Sequence, residues 1–319
     1  MQRGSHLIAH KKSTNVRAKN LPLIVAAAGL RAIESWSPEL TARLAATLMY
    51  RTTRRPSPPA ERALHAGGER FTVRSGGRSL AAWTFGDGPT VLLVHGWNGR
   101  GGQLGAFVQP LLARGFRVVT FDAPGHGESE GHDSSMVAIA DAIDDVIGAT
   151  ASLFAPLQGI IGHSLGAAAV TYAMSRAATR PRASNERALR EELPARRFAL
   201  VAPPIDLRDF VAGFSQAVRL NEATRHRIVG RIEKQFAISI DELYGPSLAE
   251  ELHAPVLVVH DEDDREVPVR CGQLLAAAWP GAELVVTRGL GHHRILRDPR
   301  VVEDVVEFVT ASDRRAPRI

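Results

Sequence analysis

The chain has 319 residues, 45% of them apolar, which is ample for one large buried core or two small ones. Its formal charge of +5 is uneven: residues 1–60 carry 10 Lys and Arg against 2 acidic residues, leaving the remainder at −3, so no nucleic-acid surface is expected on the main body. A single cysteine, Cys271, excludes an internal disulfide framework and suits a reducing compartment, here read as the cytoplasm.

Residues 1–20 are polar, basic and without periodicity, and are predicted to be a disordered tail. Residues 21–60 read as a helical extension and linker. The longest apolar run, Leu21 to Leu30, contains Pro22, falls far short of a membrane span and is followed by no convincing cleavage site. From Ser37-Pro38-Glu39 a helix is predicted, with Leu40, Leu44 and Leu48 on one face. With its basic surroundings it can either make weak contact with an anionic membrane surface or pack on the domain, and the short apolar stripe favours packing. Arg54-Arg55-Pro56-Ser57-Pro58-Pro59 reads as a stiff linker.

The main domain is assigned to residues 61–319, its first strand beginning near Arg70. A hairpin around Ser75-Gly76-Gly77 is followed by apolar strands alternating with amphipathic helices: Val91 to His95, Gln103 to Arg114, Arg117 to Phe121, Ser135 to Ser152, Leu157 to Ile161, then a small-residue helix from Ala167. The pattern resumes at Arg197 to Val201, Val256 to His260, Gly272 to Trp279, Glu283 to Val286 and a last helix from Pro299. It implies an α/β fold, a mostly parallel sheet with helices on both faces. Two stretches interrupt it. Residues 180–195 look like a solvated excursion, and residues 203–254 are long enough to form a small helical lid at the carboxyl edge of the sheet. In that lid Phe210, Phe214 and Val218 share a helical spacing; they face an acyl substrate or pack the lid onto the body.

Gly162-His163-Ser164-Leu165-Gly166 stands between the apolar strand and the small-residue helix. A serine at such a turn is held in a strained conformation, and the flanking glycines let strand and helix approach. Its hydroxyl is a poor nucleophile at neutral pH unless a base and an orienting acid are supplied.

From about residue 70 to 310 the chain resembles the α/β-hydrolase family. Val94-His95-Gly96-Trp97 is similar to the family's His-Gly-x turn, and Asp122-Ala123-Pro124-Gly125-His126-Gly127-Glu128-Ser129 to its Asp-x-x-Gly-x-Gly-x-Ser loop. His260 to Pro268 resembles the Gly-x-x-Asp-x-x-Val-Pro loop, with Asp261 in the glycine place, and Gly289-Leu290-Gly291-His292-His293 the Gly-x-Gly-His turn. The resemblance implies Ser164 as nucleophile, Asp264 as acid and His292 as base, with Asp261 and Asp263 as rivals for the acid and His293 as the alternative base. It also implies backbone N–H donors at Trp97 and Leu165 for an oxyanion hole.

The reaction so implied is cleavage of a small-molecule carboxylic ester, with a hydrophobic acyl group among the options, through an acyl-enzyme that needs no metal or cofactor. An acyltransferase, a thioesterase or a carbon–carbon bond hydrolase would use the same three residues, because fold and triad do not fix substrate. A serine nucleophile argues against the aspartate-based dehalogenase and epoxide hydrolase chemistries. A non-catalytic ligand-binding member of the fold is disfavoured because serine and histidine are both kept. His95, His126, His132, His163 and His260 are read as structural, since their spacing resembles no zinc site. Asp122 is read as a turn brace, and the glycines from Gly96 to Gly102 miss the dinucleotide-binding spacing.

Overall fold

Apolar runs of five to eight residues become strands, and the longer amphipathic stretches between them become helices. The computed structural model describes residues 21–155, 157–179 and 195–311. The basic tail and nearly all of the 180–195 excursion lie outside them. The strands are β1 (Glu69–Ser75), β2 (Arg78–Phe85), β3 (Thr90–Val94), β4 (Arg117–Phe121), β5 (Leu157–His163), β6 (Arg197–Val201), β7 (Val256–Asp261) and β8 (Glu283–Thr287). The helices are α1 (Leu21–Glu34), α2 (Pro38–Tyr50), α3 (Pro59–Ala66), α4 (Val108–Ala113), α5 (Met136–Leu153), α6 (Leu165–Thr179), α7 (Leu207–Ala217), α8 (Glu222–Phe236), α9 (Gly245–Ala249), α10 (Val269–Ala278), α11 (Gly291–Arg294) and α12 (Pro299–Thr310).

The eight strands form one sheet in the order β1-β2-β4-β3-β5-β6-β7-β8. The β1–β2 and β2–β4 pairs are antiparallel, and all others are parallel. Successive side chains alternate faces, so each central strand feeds two cores. Leu92, Val94, Ile160, Leu200, Val256 and Val258 pack on one face with Ile139 and Ile143 of α5, Val170 of α6 and Leu275 of α10. On the other, Val91, Leu93, Ile161, Val201, Leu257 and Val259 meet Phe107, Leu111 of α4 and the valines of α12. Those valines, 301, 302, 305, 306 and 309, recur at helical spacing and are all buried.

The chain divides into two compact units. Residues Tyr50–Leu207 and Phe236–Ile319 hold the sheet, and residues Met1–Met49 and Arg208–Gln235 form the other. In the helical unit, Arg231 of α8 pairs with Glu39 of α2 at 2.8 Å, and Glu34 at the end of α1 accepts the Asn221 N–H at 2.9 Å, just before α8. The buried face of α2 is Ala42, Ala45, Ala46 and Met49, whereas Leu44 is 39% exposed. The predicted Leu40–Leu44–Leu48 face is therefore not the buried one: Leu40 and Leu48 are half-buried, and the smaller alanines take the inner side.

Of the predicted lid stretch, α7 and α8 fall in the helical unit. The 3-10 turn Ile240–Leu243 and α9 fall in the sheet unit, where Leu243, Ala249 and Leu252 join the core beside Ile205. The predicted linker at Arg54 to Pro59 gives way at Pro59 to α3, because proline suits the first position of a helix. No helix among the described residues is long and apolar enough to cross a membrane.

Candidate active site

β3, β5, β7 and β8 all run in the same direction. The loops that leave their carboxyl ends therefore gather on one edge of the sheet, where open α/β sheets bind ligands. Ser164 leaves β5 with φ of +53°, in the left-handed region, and α6 begins at the next residue. Three close approaches hold it there. A Cβ on Gly162 would lie 2.8 Å from the Ala167 Cα, one on Gly96 would lie 2.8 Å from the Ser164 Cβ, and one on Gly166 would meet the His95 carbonyl oxygen. The Ser164 N–H donates to the Val201 carbonyl at 2.9 Å, tying the turn to β6.

After β7 the chain turns through three aspartates whose surroundings separate them. Asp264 Oδ2 lies 2.7 Å from His292 Nδ1, and its Oδ1 accepts the N–H groups of Glu266 at 2.8 Å and Val267 at 2.9 Å. His260 Nε2 stands 3.5 Å from the same Oδ2. Burial works against the charged carboxylate, but the donors from His260, His292, Val267 and Glu266 outweigh it and hold Asp264 well below the usual carboxylate range. It is thus an anion facing His292 Nδ1, and a proton on that nitrogen leaves Nε2 as the acceptor of the ring.

Asp261, the departure from the family's glycine, does something else. Its Oδ1 accepts from the N–H groups of Asp263 at 3.0 Å and Gly291 at 2.8 Å, and its Oδ2 from Thr287 Oγ1 at 2.7 Å and the Leu290 N–H at 3.0 Å. Burial again opposes the charge and these four donors overcome it, lowering its pKa. Asp263 Oδ2 accepts the Gly289 N–H at 2.9 Å. Both rivals therefore clamp the turn that carries His292. His293 has a 61% exposed side chain whose Nε2 lies 3.0 Å from Glu266 Oε1, with its ring 5.1 Å from that of His292.

His163 links serine and histidine turns in a way the motif does not reveal. Its buried ring donates from Nε2 to the His292 carbonyl at 3.0 Å, and the two rings are 4.8 Å apart. Burial, with His292 beside it, pushes its pKa down to about 3.

The Trp97 turn has a comparable frame. The Gly99 N–H closes it onto the Gly96 carbonyl at 3.0 Å, and Asn98 has φ of +53°. The Asn98 N–H donates to His126 Nε2 at 3.0 Å, and the Ala123 N–H to His95 Nε2 at 2.9 Å. Acceptor nitrogens require neutral rings. Burial lowers His95 to about 4 and His126 to about 3. Asp122 accepts the N–H groups of Gly101 and Glu128, both at 2.7 Å, the bracing expected of it. Leu165 and Trp97 are both half-buried. Leu165 opens α6, where N–H groups have no intrahelical acceptor.

Phe210 and Phe214 stand on α7 in the helical unit, the first 39% exposed and the second half-buried, while Val211, Ser215 and Val218 are buried. No group of three or more His, Cys, Asp and Glu side chains suited to a metal ion occurs among the described residues.

A model of the alpha/beta hydrolase family matches residues 91–305. An uncharacterized protein of Mycobacterium tuberculosis is 27% identical over 278 residues, 70% of this chain and 75% of that protein. A pyrethroid hydrolase of Sphingobium wenxiniae is 25% identical over 250 residues, 69% of this chain and 88% of that protein. An esterase of Pyrococcus furiosus is similar in fold, with a TM-score of 0.59 at 19% identity over 81% of this chain and 98% of that chain.

Proposed function

This chain belongs to the alpha/beta hydrolase family, and on that premise we propose that it cleaves a carboxylic ester through an acyl-enzyme on Ser164. The observation that carries the reading is the 2.7 Å contact between Asp264 Oδ2 and His292 Nδ1, on a turn that His163 ties to the serine beside it. His292 Nε2 takes the Ser164 proton as Oγ attacks the carbonyl carbon, and the resulting imidazolium is stabilised by Asp264. Charge that develops on the carbonyl oxygen is met by the N–H groups of Leu165 and Trp97. Loss of one such donor costs on the order of 100-fold in rate. The alcohol departs with the proton held by His292, and water, activated by the same nitrogen, releases the acid.

A fluorophosphonate probe tests this directly. It is expected to label the unaltered chain at Ser164, and Ser164→Ala and His292→Ala are each expected to abolish labelling. A panel of p-nitrophenyl esters of increasing chain length then reads turnover and acyl preference together. Undiminished labelling of Ser164→Ala would sink the assignment.

A further inference from the structure

The stretch that follows α2 is bonded along its length to the Trp97 turn and to the loop after β4 that frames it. The Thr53 N–H donates to Asn98 Oδ1 at 2.7 Å. Thr52 Oγ1 donates to the Gly125 carbonyl at 2.7 Å, and Arg54 Nε reaches the same oxygen at 3.3 Å. The Arg54 Nη2 donates to the carbonyls of Gly131, at 2.6 Å, and of Ser129. Around them the Thr52 N–H donates to the His132 carbonyl at 3.0 Å, and the Ser134 N–H to the Tyr50 carbonyl at 2.9 Å. All of these bonds lie within the sheet unit, and a passive linker needs none of them.

Their chemical consequence lies in what Asn98 does. It follows Trp97 in a four-residue turn and adopts φ of +53°, a conformation that asparagine tolerates because its short amide bonds locally. The backbone of Asn98 is held from one side, where its N–H meets His126 Nε2, and its side chain from the other, where Oδ1 meets Thr53. Rotation of that turn would re-aim the Trp97 N–H. With both sides pinned, rotation breaks at least one hydrogen bond.

We propose that residues 52–54 are a strap that positions the Trp97 turn, so that the segment after the N-terminal helices sets the rate of ester cleavage without touching substrate. The proposal rests on the reading of Trp97 as an oxyanion donor. Thr53 and Arg54 are positioning residues in this scheme, and Asn98 is the coupling between them and the donor.

The test uses the full chain with three variants. Asn98→Gly removes Oδ1 while remaining at ease with positive φ, Arg54→Met removes the guanidinium but keeps a long apolar stem, and Asn98→Asp keeps an acceptor oxygen. Turnover of p-nitrophenyl butyrate is measured per active site, counted by saturating fluorophosphonate labelling, with KM and the thermal midpoint read alongside. The strap predicts a fall of about 10-fold or more in kcat per titrated site for Asn98→Gly and Arg54→Met, with KM within about 2-fold and with Asn98→Asp close to the unaltered chain. A merely structural tie would lower the thermal midpoint or the number of labelled sites and leave turnover per site unchanged, which would overturn the strap alone. If the unaltered chain neither labels nor turns over ester, or if Ser164→Ala does both, the strap and the proposed hydrolase fall together.

Discussion

At Asp264 two effects oppose each other: burial disfavours the carboxylate, and the donors of His260, His292, Val267 and Glu266 favour it. The donors win, so the residue stays charged through the ordinary working range of pH and keeps the His292 Nδ1 proton in place. Asp264→Asn presents an amide that can reverse the tautomer, and kcat for ester cleavage is expected to fall by about 10³–10⁴-fold with the fold intact. Asp261→Asn keeps one acceptor oxygen but turns an NH2 group toward two donors. It is expected to lower the thermal midpoint while costing far less turnover than Asp264→Asn. Steady-state kinetics and melting curves of the two variants decide the matter, and the reverse ranking in kcat would transfer the orienting role to Asp261. The family register in the sequence selects Asp264 and His292, the pair found 2.7 Å apart. What three acids within four positions conceal is their division of labour, because three of the four partners of Asp261 lie 26 to 30 residues further along the chain. The link from His163 to His292, 129 residues apart, is concealed for the same reason.

On the scale of elements, the strand–turn–helix around Ser164 depends on glycines for space. A Cβ on Gly166 would press on the carbonyls of His95 and Val94, and backbone cannot swing aside as a flexible side chain can. Gly166→Ala is therefore expected to destabilise the chain by roughly 1–3 kcal/mol and to lower turnover, since the His95 backbone that must shift leads into the Trp97 turn. Gly148 offers the contrast, for it is exposed in α5 with no atom within 4 Å of an added Cβ. Gly148→Ala is expected to stabilise by about 0.5–1 kcal/mol. Urea unfolding of both variants checks the pair, and a neutral Gly166→Ala would mean that strand and helix are not closely packed at the elbow. The parallel strands β3 to β7 are legible as apolar runs, because a sheet buried on both faces permits few polar residues, whereas β1 and β2 are legible as a hairpin around Gly76 and β8 as a short run at the exposed edge. Helices α2 and α3 are harder. Leucine spacing points to the wrong face of α2, whose buried side is alanine, and the prolines before α3 read as a linker although Pro59 starts a helix.

Across the whole molecule, the buried histidines make stability depend on pH before any carboxylate titrates. His95 and His126 accept backbone N–H groups through Nε2, so protonating either ring breaks a hydrogen bond, and His163 would become a buried cation. Burial lowers their pKa values to about 4, about 3 and about 3 respectively, against 6.5 in the unfolded chain. The sign follows from proton counting. Well above pH 6.5 neither state binds these protons and stability is at its full value. As pH falls below 6.5 the unfolded state takes them up while the folded state does not, and stability drops until the folded pKa values are reached. Each ring adds to the fall in stability across that window, because the unfolded state binds a proton that the folded state refuses. Asp264 and Asp261, with lowered pKa values, act in the same direction only further down, as pH falls below about 4 toward their folded pKa values. The urea midpoint is therefore expected to fall steeply between pH 6.5 and 4. His95→Gln, whose amide oxygen can accept the Ala123 N–H, is expected to make that fall shallower. A midpoint that stays level from pH 7 to 5 would mean that these rings take up protons as readily folded as unfolded, and would undo the neutral hydrogen-bonded frame assigned here to the Trp97 turn.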